Sequence, residues 1–73
     1  MKAVIIQAGE VEMNGQQSAT FNILDDEGVT LVASQSVTAD VEEIKEKVEA
    51  LLIEFRNRYL SSKKLKEGDE IVV

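Results

Sequence analysis

Fourteen carboxylates in a chain of 73 residues are the first place to look for chemistry, because Asp and Glu side chains serve as general acids and bases and as ligands for divalent metals. Their spacing does not gather them into a site. Asp25-Asp26-Glu27-Gly28 begins like a calcium loop, but the oxygen ligands do not continue at alternate positions, so the segment reads as a solvated turn. Glu43 with Lys47, Lys45 with Glu49 and Glu54 with Arg58 lie four apart, the spacing of surface ion pairs on a helix worth about 0.2–0.5 kcal/mol each. The chain has no His and no Cys, hence neither the commonest general base nor a thiol nucleophile, thiolate zinc ligand or disulfide. Gly9, Gly15, Gly28 and Gly68 are too scattered to form a phosphate cradle or a dinucleotide-binding turn. Phe21, Phe55 and Tyr59 are the aromatics. The first two fall on apolar faces, which leaves no platform for stacking bases. The expectation is a protein without catalytic activity, metal or cofactor.

Charge points the same way. Fourteen acidic against eight basic residues give a net charge of −6, which disfavours phosphate backbones, so no direct nucleic-acid binding is expected. The positive charge is concentrated in Arg56, Arg58, Lys63, Lys64 and Lys66, while Asp25, Asp26 and Glu27 form an acidic cluster in the first half. The basic run reads first as a helix end favoured by the helix dipole and second as a docking patch for an acidic partner. The apolar run Ala3 to Ile6 is too short for a signal peptide or a membrane span. A cytoplasmic protein with no membrane association is expected.

These side chains must be held by few elements, since 73 residues allow one small core and a single domain. Thr38 to Leu60 is expected to be the long helix. Val41, Ile44, Val48, Leu51 and Phe55 recur at steps of three and four, with Leu52 and Tyr59 widening the stripe. Thr38 or Asp40 is expected to cap it, and Asp40 with Glu43 to form a capping box. Ala3 to Met13 and Gln16 to Leu24 read as strands joined at Asn14-Gly15, the dipeptide favoured by two-residue type I′ hairpins. That turn predicts Ala8 opposite Phe21 and Ile6 opposite Ile23, with Val4, Ile6, Ala8, Ala19, Phe21 and Ile23 on the core face and a bulge at Gly9. A three-residue loop ending at Gly28 would start the third strand. Val29, Leu31 and Ala33 then face inward, and the strand ends near Val37. The fold class is α+β: a three-stranded antiparallel meander packed by one long C-terminal helix. Residues 66–73 read as a short fourth strand, Ile71-Val72-Val73, or equally as a frayed tail.

This register leaves Ile5, Val11, Met13, Leu24 and Val32 on the outside of the sheet, with Ile53 and Leu60 off the helix stripe. Exposed apolar residues are ordinary one by one. Grouped beside a sheet edge, they form a contact surface for a partner or a second copy. The expected site is therefore a protein-binding surface drawn from Val11, Met13, Asp25, Asp26, Glu27, Arg56, Arg58, Lys63, Lys64 and Lys66, on a monomer or homodimer.

The order strand, strand, strand, helix, with Thr38-Ala39-Asp40-Val41-Glu42-Glu43-Ile44 opening the helix and Glu67-Gly68-Asp69-Glu70-Ile71 closing the chain, resembles the HicB-like antitoxin domain. Asp25-Asp26-Glu27-Gly28 stands where that family carries a proline-bearing segment. The resemblance implies neutralisation of a small basic toxin. In size, acidity and absence of cysteine, the chain also resembles the small regulators that lytic phages direct against host RNA polymerase, among them inhibitors of transcription initiation and antiterminators. That resemblance implies a polymerase subunit as partner, bound in the host cytoplasm, and is preferred. The alternatives are the antitoxin and a self-associating structural module.

Overall fold

The computed structural model describes residues 1–72. Strands β1 (Lys2–Ala8), β2 (Gln16–Leu24) and β3 (Thr30–Asp40) precede helix α1 (Ile44–Lys63). The strands form one antiparallel sheet in the order β1-β2-β3. This is the expected α+β meander with a C-terminal helix. The helix lies across one sheet face and touches both β3 and β1. Ala19, Phe21 and Ile23 on β2, with Ala39 on β3, are the buried apolar residues. They alternate along β2 as period-two burial requires.

The first hairpin differs from the sequence expectation. Strand β1 ends at Ala8, and the chain crosses to β2 through a loop closed by the Glu12 amide donating to the Gln16 carbonyl at 2.8 Å. Gly15 alone takes a left-handed backbone, at φ 81°. A type I′ turn needs that conformation at both central residues. Asn14 instead turns its Oδ1 to accept the Gln16 amide at 3.1 Å, the local bonding by which Asn stabilises turns. Gln7 and Ala8 are consequently displaced by two residues from the expected pairing, which keeps their faces. Beyond the irregularity at Ile6 the displacement is three from Lys2 to Ile5, and an odd shift exchanges the two faces. Ile5 opposes Phe21 and Ala3 opposes Ile23, so Ala3 and Ile5 lie toward the helix, and Val4, opposite Asn22, lies on the open face. The irregularity in β1 falls between Ile5 and Gln7, not at Gly9, whose amide donates to the Ser18 carbonyl at 2.8 Å.

The second hairpin loop is the expected one. The Asp25 amide donates to the Val29 carbonyl at 2.9 Å, and Gly28 is left-handed at φ 84°. Beyond it, β3 is irregular twice: Leu24 opposes Thr30 while Ile23 opposes Val32, and Phe21 opposes Gln35. Leu31 is thus one extra residue in β3, and the pair Ala33 and Ser34 opposite Asn22 supplies a second. Val32 rather than Leu31 or Ala33 meets Ile23, so the inward set Val29, Leu31 and Ala33 is corrected to Val32, Gln35, Val37 and Ala39. Bulges change which side chains face the core without moving the turn.

Strand β3 continues to Asp40, and the helix begins at Ile44. Thr38 and Asp40 are strand residues, Glu43 occupies the N-cap without a side-chain cap bond, and the Glu43 amide donates to the Asp40 carbonyl at 2.8 Å. The capping box does not form because Asp40 is committed to pairing with Gln16. Most of the helix stripe faces the sheet: Ile44, Val48, Leu52, Phe55 and Tyr59 are half-buried. Val41, in contrast, lies before the helix and is exposed, and Leu51 is exposed with Leu52 turned inward in its place. No helix residue is fully buried. Ile71 and Val72 are exposed and in no strand, so the short fourth strand does not form among the described residues; Val73, its last member, lies outside them.

Candidate protein-docking surface

The surface can be built from the two ends of the sheet. At one end stands the loop after β1. Val11 is half-exposed and Met13 wholly so. Gln17 holds the loop to the sheet by donating from Nε2 to the Gly9 carbonyl at 2.9 Å. The Val41 amide donates to the Gly15 carbonyl at 2.9 Å, which brings a third exposed apolar residue, Val41, to this end. Val11, Met13 and Val41 form an apolar tip that no element covers among the described residues.

At the other end the turn Asp25–Gly28 sits beside the second half of the helix. Asp25 Oδ1 accepts the amides of Glu27 and Val29, each at 2.9 Å, so this carboxylate builds the turn. Asp26 pairs with the α-amino group of Met1 and lines a surface cleft with Arg56, Tyr59 and Leu60. Its carboxyl titrates below the usual range, chiefly because of the hydrogen bond from the α-amino group and that group's charge, with a smaller effect of Arg56. Glu27 is exposed.

The basic run is partly engaged within the chain. Arg56 faces Asp26, Arg58 pairs with Glu54, and the Lys63 Nζ lies 5.3 Å from the centroid of the Tyr59 ring, within cation–π range. Lys64 and Lys66 follow in the exposed tail. The acidic turn and the basic helix end therefore share one end of the molecule and partly neutralise each other, while Val11 and Met13 occupy the opposite end. The ten residues singled out from sequence do not make one site. Of the three helix ion pairs expected from spacing, Glu54–Arg58 is the one formed among the described residues.

A third region was only partly anticipated. Along the β1 edge, Met1, Ala3, Ile5, Val48 and Leu52 line an apolar groove with the stems of Lys2, Lys45 and Glu49. Leu52 also lines the next cleft along the same flank of the helix, with Ile53 and Leu60. Ile53 and Leu60 were legible as residues off the helix stripe. Ile5 was legible as exposed but was assigned to the wrong face, and nothing in the sequence joined the three.

Among the described residues, no group of three or more Asp, Glu, His or Cys side chains is placed to hold a metal ion. No described helix is long and apolar enough to cross a membrane. No family model matches the chain, and no curated protein or solved structure matches it either.

Proposed function

We propose that this chain is a small non-enzymatic regulator that works by binding another protein, with a bacterial RNA polymerase subunit as the partner and inhibition of initiation or antitermination as the outcome. The observation carrying the binding reading is the distribution of apolar surface. Among the described residues thirteen large apolar side chains are exposed, while the buried core is Ala19, Phe21, Ile23 and Ala39. Exposed apolar groups that gather in one place favour a contact surface. The tip formed by Val11, Met13 and Val41 is the docking point: methionine adapts its shape to a partner, and the tip stands clear of the charged end. The acidity of the chain, at net −6, supports a route to transcription through polymerase rather than through DNA or RNA. The choice of polymerase rests on the likeness in size and character to phage regulators.

The test is affinity capture from bacterial lysate with the immobilised chain, followed by mass spectrometry. Polymerase subunits should be retained by the wild type and lost with Met13→Asp. Retention of a small basic toxin instead would replace this reading with the antitoxin.

A further inference from the structure

We infer that the β1 edge and the adjoining flank of α1 form a self-complementary seam on which a second copy of this chain docks. The two β1 strands pair antiparallel across a two-fold axis, extending the sheet to six strands with both helices on one face.

The first observation is the edge. Strand β1 is an outer strand, and its sequence KAVIIQA carries one charged residue and no Pro. Val4, Ile5 and Ile6 are exposed on it. Edges of monomeric sheets are normally blunted by charge, bulges or cover. The opposite edge strand, β3, is interrupted by two irregularities and is rich in Ser and Thr. Strand β1 has a single irregularity, between Ile5 and Gln7, and is regular from Lys2 to Ile5, long enough to exchange backbone hydrogen bonds with its own copy. A parallel partner strand would not satisfy a two-fold axis, whereas antiparallel self-pairing does.

The second observation is continuity between the edge and the helix. Ile5, 48% exposed, and Ile53, 59% exposed, are joined by Ala3, Val48 and Leu52 along the clefts beside β1. A copy paired at β1 would bring its own helix flank against this strip, burying edge and flank in one contact.

The third observation is area. The chain exposes 5970 Å², against about 4,500 Å² for a compact folded chain of this mass. The radius of gyration is 16.0 Å, against about 11 Å for a compact domain of this length. The exposed tail accounts for part of the difference. Little more than half of the excess would suffice, because a standard interface takes about 800 Å² from each partner.

Sedimentation equilibrium of the isolated chain at about 100 µM, a concentration that populates any dimer of micromolar affinity, tests this without any other protein present. The expected mass is twice 8.1 kDa. Ile53→Glu should return it to 8.1 kDa at an unchanged circular dichroism spectrum. Because the chain has no cysteine, Val4→Cys supplies a single thiol beside the seam, and a short bis-maleimide should link it into a covalent dimer. Met13→Cys, at the apolar tip, should not link. A single-chain mass for the wild type would overturn the inference. A mass above two copies, or linking of Met13→Cys but not of Val4→Cys, would overturn it as well. None of these outcomes depends on the polymerase reading.

Discussion

The Oδ1 of Asn22 accepts the backbone amide of Ser34 at 2.9 Å, at the point where Ser34 adopts a left-handed backbone with φ 57°. Two residues of β3, Ala33 and Ser34, face the single residue Asn22 of β2, so an ordinary ladder bond is lost and the carboxamide replaces it. The bulge decides which residues of β3 reach the helix. Without it, Gln35 and Val37 would exchange faces with their neighbours.

Asn22→Ala should therefore cost about 0.5–1.5 kcal/mol, the net worth of one hydrogen bond. Ser34→Gly should be tolerated within about 1 kcal/mol, since glycine removes the left-handed strain but brings more unfolded-state freedom. Ser34→Val should cost about 1–2 kcal/mol, because a β-branched residue fits that backbone poorly. Urea unfolding of the three variants gives the order directly. A Ser34→Val protein more stable than Ser34→Gly would contradict the bulge as the cause.

Phe21, at 1% exposure, is the centre of the core, and Phe55 on the helix is half-buried. Phe21→Ala should cost about 3–5 kcal/mol, a large part of the roughly 4–11 kcal/mol available to a domain of this length. Phe55→Ala should cost clearly less. Thermal melts compare the two, and equal losses would mean that the helix seals the sheet more tightly than its exposure indicates.

Much of this was legible in sequence. Strand β2 was placed at its observed limits because alternation, Asn14-Gly15 and Gly28 bracket it independently. The helix stripe from Ile44 to Tyr59 was legible from its period. Register was not. Asn14-Gly15 is compatible with a two-residue turn, which sets Ala8 opposite Phe21, and with a longer loop in which only Gly15 is left-handed. The irregularity at Ile6 that brings Ile5 opposite Phe21 has no mark in the sequence. The bulges in β3 left no mark either, since Leu31-Val32-Ala33 offers apolar residues to both faces. The division of the candidate site into two ends followed from topology. Once the helix runs back along β3, Arg56 must arrive at the Asp25–Gly28 turn.

That arrival has a consequence for acid stability. The carboxyl of Asp26 is held below its ordinary value of 3.8, first by the hydrogen bond and charge of the Met1 α-amino group and then by Arg56. A group whose folded value is lowered stabilises the fold fully above the ordinary value and loses that contribution as pH falls through the folded one. Asp26→Asn should be slightly less stable than the wild type at neutral pH and equal to it at pH values below the folded titration. Carbon-detected NMR should place the Asp26 midpoint below 3.8, and a midpoint at or above the ordinary value would show that the pairing does not persist in solution.

The central claim, that this chain docks on a protein through its apolar tip, is tested most directly by calorimetric titration into purified bacterial RNA polymerase at several temperatures. Saturable binding with a negative heat-capacity change is expected, the mark of apolar surface leaving water, with Met13→Asp weakening it by about tenfold or more. Absence of saturable binding, or an affinity unchanged in both Val11→Asp and Met13→Asp, would contradict it.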